Sequence, residues 1–358
     1  MSTIAQPELP CRVVGGVDTH KDQHVAAALD QVGRLLGIAE FPATTAGYRE
    51  LHIWLAGHGA IVAVGIEGCG SWGAGLARHL TATDVKVVEV NRPNRQTRRR
   101  RGKSDSLDAE AAARAVLNGE AKATPKSGDG PVEALRQLRV ARSGAIKART
   151  AAANQLHSLL DTAPDQLRAQ MAKLTFKEKV ALAERFRPGA SHDVDASTRR
   201  ALRSVARRWR FLHDEAKELR AEAKQIIDQI APGLVARNGV GYETAGQLLV
   251  TAGDNPERLT SERSFAALCA STPVQASTGR TKRHRLNRGG DRQANSALWT
   301  IVLVRMGTDA RTKAYVEKRT ADGLSKREIM RCLKRYVARE LYPLIRDITA
   351  VQDLESAA

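Results

Sequence analysis

Arg12-Val-Val-Gly-Gly-Val-Asp-Thr-His-Lys-Asp-Gln-His24-Val-Ala-Ala-Ala-Leu29-Asp-Gln-Val-Gly-Arg34-Leu-Leu-Gly-Ile-Ala-Glu-Phe41 holds three short β-branched or apolar runs, Arg12–Val17, His24–Leu29 and Arg34–Phe41, with turn-forming residues between them. Three strands in a row with no helix between them predict a meander. After Pro42 the period changes. Thr44–Ala56 reads as a helix, Ile61–Ile66 as a buried strand, Ser71–Leu80 as a second helix and Val85–Val90 as a strand. Ser104 and Asp105 are suited to start a helix, and alanine-rich sequence carries it on to Leu117.

The order βββαβαβ with a closing helix matches a ribonuclease-H-like layout, a mixed sheet covered by helices, over residues 10–120. Residues 127–230 carry little strand signal. Their apolar spacing, with Leu135, Leu138, Ile146, Leu156 and Leu159, predicts a helical arm broken at Pro164 and at Pro188-Gly189. Long helices with a partial apolar stripe pack against one another or against a second subunit, so a coiled-coil hairpin that aids dimerisation is expected. A mostly helical second domain spans residues 231–346, built around one Gly- and Arg-rich loop, and the last dozen residues read as a frayed tail.

The 358 residues hold 57 Lys and Arg against 39 Asp and Glu, a balance of +18 that favours a polyanionic partner through counterion release. Aromatic residues are only 4%, which argues against a single-strand binder built on stacked bases and favours duplex or structured nucleic acid. Cys11, Cys69, Cys269 and Cys332 are far apart, with no CxxC pair, so neither a zinc finger nor a disulfide framework is indicated and a reducing cytoplasm is expected. No secretory start is visible. The longest strongly apolar run, Trp299–Val304, is too short to span a bilayer, so a soluble intracellular protein with no membrane partner is expected.

Four acids stand out. Asp18 ends the first strand, Glu67 ends the fourth, and Asp105 and Asp108 lie three apart at the start of a helix, where i and i+3 share a face. In the expected fold those strand ends are neighbours and the helix crosses them, so the four carboxylates converge. Such a cluster repels itself unless cations occupy it, and hard oxygen ligands suit Mg²⁺. Taken singly, Asp105 could equally be a helix-start residue and Asp18 a turn residue; the joint pattern carries the reading. Just before Asp105, Arg92, Arg95, Arg98, Arg99, Arg100, Arg101 and Lys103 form a basic run without an acid, read as a phosphate clamp beside the metal site. His20 and His24 are read as surface or core histidines.

Nearer the C-terminus, Asn238-Gly-Val-Gly-Tyr-Glu-Thr-Ala-Gly-Gln-Leu-Leu249 resembles the hairpin of a helix-hairpin-helix element, in which Gly239 and Gly241 let backbone N–H groups approach a phosphate. Further on, Ser277-Thr-Gly279 is followed by Arg280, Lys282, Arg283, Arg285, Arg288 and Arg292, a hydroxyl among cations that could stabilise a phosphorane. His284 is the nearest histidine. Read from the residues alone, this loop is either a nucleophile's seat or a DNA-backbone contact.

Together the two constellations resemble the insertion-sequence 110 family of transposases, which includes the Piv-type DNA invertases. The likeness is carried by Gly-Val-Asp18-Thr-His-Lys, Gly-Ile-Glu67-Gly, Lys-Ser-Asp105-Ser-Leu-Asp108-Ala, Gly239-Val-Gly-Tyr, and Ala-Ser277-Thr-Gly with the following Arg-His-Arg-Leu-Asn-Arg-Gly-Gly-Asp-Arg292. The resemblance implies a RuvC-like domain with an Asp-Glu-Asp-Asp tetrad at Asp18, Glu67, Asp105 and Asp108, joined by a coiled-coil arm to a C-terminal transposase domain. It further implies Mg²⁺-dependent strand cleavage and exchange, a serine that becomes covalently linked to DNA in a composite site shared between subunits of a homodimer or tetramer, and guidance by a structured RNA from the element's own end. A bacterial, nucleoid-associated protein is implied as well. The family serine precedes a glycine; here Thr278 precedes Gly279 and Ser277 stands one residue earlier, and the less hindered primary hydroxyl points to Ser277. Two rivals remain: a junction-resolving nuclease of the same fold, and a non-enzymatic nucleic-acid-binding protein.

Overall fold

The computed structural model describes residues 11–90, 104–279, 284, 285 and 287–348. They divide into two compact units, one of the described residues up to Gly130 together with Ala252–Thr260, the other of Pro131–Thr251 together with the described residues from Ser261 on.

In the first unit the expected element order is observed: β1 (Arg12–Thr19), β2 (Gln23–Asp30), β3 (Leu35–Pro42), α1 (Thr45–Gly57), β4 (Ala60–Glu67), α2 (Ala74–Ala82), β5 (Val87–Val90) and α3 (Asp105–Leu117). The strands form one mixed sheet in the order β3-β2-β1-β4-β5. β1 runs antiparallel to β2 and parallel to β4, because only the second connection carries a helix long enough to return the chain to the same end. Strand alternation sends Val13, Val17, Val64 and Ile66 to one face, where they are buried with Leu51 and Leu55 of α1 and Leu76 and Leu80 of α2. The opposite face takes α3. There Val14 and Leu29 meet Ala113, and Val25 and Ala27 meet Ala109.

The approach of α3 is unusually close. A Cβ on Gly16 would stand 2.2 Å from both the Ala109 carbonyl oxygen and the Ala113 nitrogen, so only glycine lets this helix settle on β1. Small residues on both sides thus fix how far α3 stands from the strand ends.

The β2–β3 turn is held by Asp30, whose carboxylate accepts from Val32 N at 3.0 Å, Arg34 N at 2.8 Å and Arg34 Nε at 2.7 Å. Burial works against the charge, but the Arg34 and Val32 hydrogen bonds prevail and hold this carboxyl below its ordinary value. The depressed value fixes the sign: the contribution is present above the ordinary aspartate range and is lost as pH falls through the lowered value. Asp30→Asn should therefore flatten the acid limb of a pH series of urea midpoints, whereas an unchanged acid limb would show that the turn carries none of it.

In the second unit, α4 (Pro131–Asp161) and α7 (Val194–Ile230) lie along each other. Arg142 Nε donates to Ala216 O at 3.2 Å and Arg149 Nη1 meets His213 Nδ1 at 3.3 Å; the partners step in opposite directions, so the pair is antiparallel. The short helices α5 (Asp165–Ala172) and α6 (Phe176–Glu184) close the far end of this hairpin over a core of Leu156, Leu167, Met171, Leu202 and Trp209. The expected breaks near Pro164 and Pro188 fall between these helices.

Next come α8 (Pro232–Val235), α9 (Tyr242–Ala252) and α10 (Glu262–Leu268), then the short strands β6 (Val274–Gln275) and β7 (His284–Arg285), and then α11 (Arg292–Thr308), α12 (Ala310–Ala321) and α13 (Lys326–Arg346). The expected Gly- and Arg-rich loop carries a short strand pair, β6 with β7, Gln275 opposite His284. Among the described residues, no helix is long and apolar enough to cross a membrane. All four cysteines are free, with Cys69 and Cys269 buried.

Candidate active site

Asp18 lies at the end of β1 and Glu67 at the end of β4. Gly16 meets α3 and Val17 joins the opposite core, so alternation returns Asp18 to the α3 face. On β4, Gly65 abuts Val116 and Ala112 of α3 while Ile66 faces the other way, so Glu67 also belongs to the α3 face. Val17 pairs with Ile66, which makes Asp18 and Glu67 the next positions along the two parallel strands. The Thr19 hydroxyl donates to the Glu67 carbonyl at 2.7 Å and ties the two ends together.

Helix α3 brings the other acids. Ser104 caps it, accepting from Leu107 N at 3.3 Å, so the helix begins at Asp105 rather than a turn later. Asp108 is buried, one turn along. His20 joins them: its Nε2 lies 3.3 Å from Asp18 Oδ2 and 3.4 Å from Asp105 Oδ1. One ligating atom from each of Asp18, His20 and Asp105 lies within 4.8 Å of the other two. Burial raises the Asp18 pKa first; the His20 imidazole opposes this, and the charges of Asp108 and Asp105 raise it further. A group raised by burial and like charges lies where positive charge is deficient, and carboxylate oxygens at this spacing fit one divalent cation.

The reading of His20 as a plain surface or core histidine is thus corrected, because it stands two residues beyond Asp18, on the same side of an extended chain. For His24 the core reading holds. It is fully buried and stacks on Tyr48 with ring centroids 5.6 Å apart. Trp72 was not singled out in the sequence, yet it is 56% exposed with its ring 6.3 Å from that of His20. Gly68-Cys-Gly-Ser-Trp72, directly after the Glu67 strand, was the available signal.

The clamp residues Arg92, Arg95, Arg98, Arg99, Arg100, Arg101 and Lys103 lie outside the described residues, as do Arg280, Lys282 and Arg283. In the second unit Gly239 has φ +77°, and Gly241 precedes α9, its N–H donating to the Thr244 hydroxyl at 3.0 Å. Ser277 is half-buried two residues past β6, followed by exposed Thr278 and Gly279. Arg285, Arg288 and Arg292 are exposed. Asp291, within the Gly-Gly-Asp-Arg run, is structural. It caps α11 by accepting from Gln293 N at 2.7 Å and Ala294 N at 3.1 Å, and it receives the Thr251 hydroxyl at 2.7 Å.

Residues 15–163 match a family model described as a transposase, the DEDD transposase of IS110, and residues 234–317 match one described as "Transposase IS116/IS110/IS902 family". The chain is also similar to the "Insertion element IS110 uncharacterized 43.6 kDa protein" of Streptomyces coelicolor, 28% identical over 150 residues, which are 41% of this chain and 36% of that protein.

Proposed function

This chain belongs to the IS110 family of transposases, and from that premise we propose that it cuts and rejoins DNA as the transposase of an insertion sequence. Its first unit is read as a RuvC-like domain of ribonuclease-H type, its long hairpin as a coiled-coil arm, and the Gly239–Gly241 turn as a helix-hairpin-helix element. The observation that carries the reading is the meeting of Asp18, His20 and Asp105 at the ends of β1 and α3, with the charge of Asp108 felt at Asp18.

Asp18, Glu67, Asp105 and Asp108 would hold Mg²⁺, with the His20 imidazole orienting Asp18 and Asp105. When bound, the metal supplies Lewis-acid polarisation and charge neutralisation at the scissile phosphate. The carboxylates fix where that phosphate sits, and Trp72 offers an apolar face to a neighbouring base. In the second unit the Ser277 Oγ attacks phosphorus. A P–Oγ bond forms as the P–O bond to the departing sugar oxygen breaks, the serine proton is released, and the leaving oxygen takes up a proton. The second strand's hydroxyl then reverses these changes and regenerates Ser277. Arg285, with Arg280 and Arg283, stabilises the charge on the phosphorane.

The likeness to the family supports a site assembled between subunits of a homodimer or tetramer, and a structured guide RNA as a second polyanion for the +18 charge. Denaturing gels of the protein with element-end DNA should show a covalent adduct that Ser277→Ala abolishes and Thr278→Val retains. An adduct that survives Ser277→Ala would place the nucleophile on another side chain, whereas wild-type cleavage with no adduct at all would leave water as the nucleophile and the enzyme a junction nuclease.

A further inference from the structure

Within the second unit lies a cavity of about 800 Å³, lined by Ala270–Pro273, which lead into β6, by His284 and Arg285 of β7, and by α13. Arg285, Arg319, Arg327, Arg331, Lys334 and Arg335 line it, against Glu328 as the one lining acid among the described residues. Two of these cations are already matched, Arg335 by Glu262 and Arg319 by Asp322.

Lys334 is not. It is only 6% exposed, in the middle of a helix, and its ammonium donates to Asn295 Oδ1 at 2.9 Å. The Asn295 amide is locked by donation to the Cys269 and Ala270 carbonyls at 3.0 and 2.9 Å, so its oxygen is held toward the lysine. No carboxylate among the described residues pairs with Lys334, and both burial and the neighbouring Arg331 guanidinium push its pKa down. A buried ammonium with a neutral partner is costly, and a second cation beside it makes it costlier. A second feature points the same way. The Thr272 hydroxyl, lining the same cavity, is buried with no hydrogen-bond partner among the described residues. Unsatisfied donors around an uncompensated cation define an anion site, and a doubly liganded phosphate oxygen set satisfies both.

We propose that this cavity is a phosphodiester pocket for the DNA strand that Ser277 attacks, with Lys334 and Arg331 as its anchoring cations and the Thr272 hydroxyl as a third donor. The assignment of the strand rests on the reading of Ser277 as nucleophile. Ser277 stands four residues beyond Pro273, which lines the cavity, a span of at most about 14 Å of extended chain, so a strand whose scissile phosphate meets the serine has a phosphate one or two nucleotides away within reach of the cavity. Arg331 also braces the hairpin, donating to the His284 carbonyl at 3.4 Å, so the cation that grips the backbone is tied to the nucleophile's support.

The test separates the pocket from the serine. Inorganic phosphate is titrated into the full chain at matched chloride ionic strength and thermal unfolding is followed for wild type, Lys334→Met, Arg331→Gln and Ser277→Ala. Wild type and Ser277→Ala should melt progressively higher with phosphate. Lys334→Met should melt higher than wild type without phosphate, because it removes a buried charge, and should bind phosphate about tenfold or more weakly; Arg331→Gln should weaken it similarly. In the adduct assay with element-end DNA, Lys334→Met should yield at least tenfold less covalent product than wild type. A phosphate response that survives in Lys334→Met, or one absent from the wild type, overturns the pocket. Full adduct yield from Lys334→Met with the phosphate response lost overturns its assignment to the attacked strand. Loss of the adduct in Ser277→Ala alone tests only the serine.

Discussion

Asp18→Asn should fold at least as tightly as the wild type and lose strand cleavage by about a thousandfold or more. The two halves have one cause. The Asp18 carboxylate is buried at the meeting point of β1 and α3 and lies near the Asp105 and Asp108 charges, so its ionised form is disfavoured in the fold. Its folded value is raised, and the sign is therefore opposite to that of Asp30: the fold is helped as pH falls through the raised value and carries a penalty above it. The neutral amide removes that penalty at neutral pH. It also removes the hard anionic oxygen a divalent cation needs. Melting curves with and without MgCl₂ should show a metal-induced rise in wild type that is much reduced in the variant, while affinity for nucleic acid, which rests on basic residues elsewhere, is kept. Cleavage by Asp18→Asn at the wild-type rate would remove the acidic centre from the mechanism.

Gly16→Val should be severely damaging to the first unit, costing about 3 kcal/mol or more. The added atoms meet backbone, at 2.2 Å from Ala109 O and Ala113 N, so no side chain can swing aside to make room. Helix α3 must lift from the sheet, and Asp105 and Asp108 lift with it. Loss of stability and loss of the metal-induced melting shift should therefore appear together, although position 16 bears no ligating atom. Gly144→Ala is the control: it lies on the exposed face of α4, nothing stands within 4 Å of the added methyl, and a small gain of roughly 0.5–1 kcal/mol is expected. A Gly16→Val chain with unchanged urea midpoint would mean that α3 does not depend on this contact.

His20 and Lys334 show where linear reading stops. His20 was legible in the sequence, because a residue two beyond Asp18 on an extended chain shares its side. Lys334 was not available. Within α13 it is one basic residue among many, and only the packing of α11 across it, with Asn295 held by two carbonyls, buries the ammonium and makes it a cation in need of an anion. Asp291 is intermediate. Its place ahead of a helical stretch marks it as a possible cap, but its bond to Thr251 depends on the fold.

Local periodicity alone determined the order of strands and helices in the first unit, the placement of Asp18 and Glu67 at strand ends and of Asp105 and Asp108 on one helical turn, and the basic balance that selects a polyanion. Those features follow from interactions within a few residues, which the chain carries wherever it goes. The distance across which the acids meet, the recruitment of His20 and the burial of Lys334 were decided by tertiary structure. Each depends on how closely two elements remote in sequence can pack, and that is set by the atoms that happen to face each other, such as the missing side chain of Gly16 beneath α3.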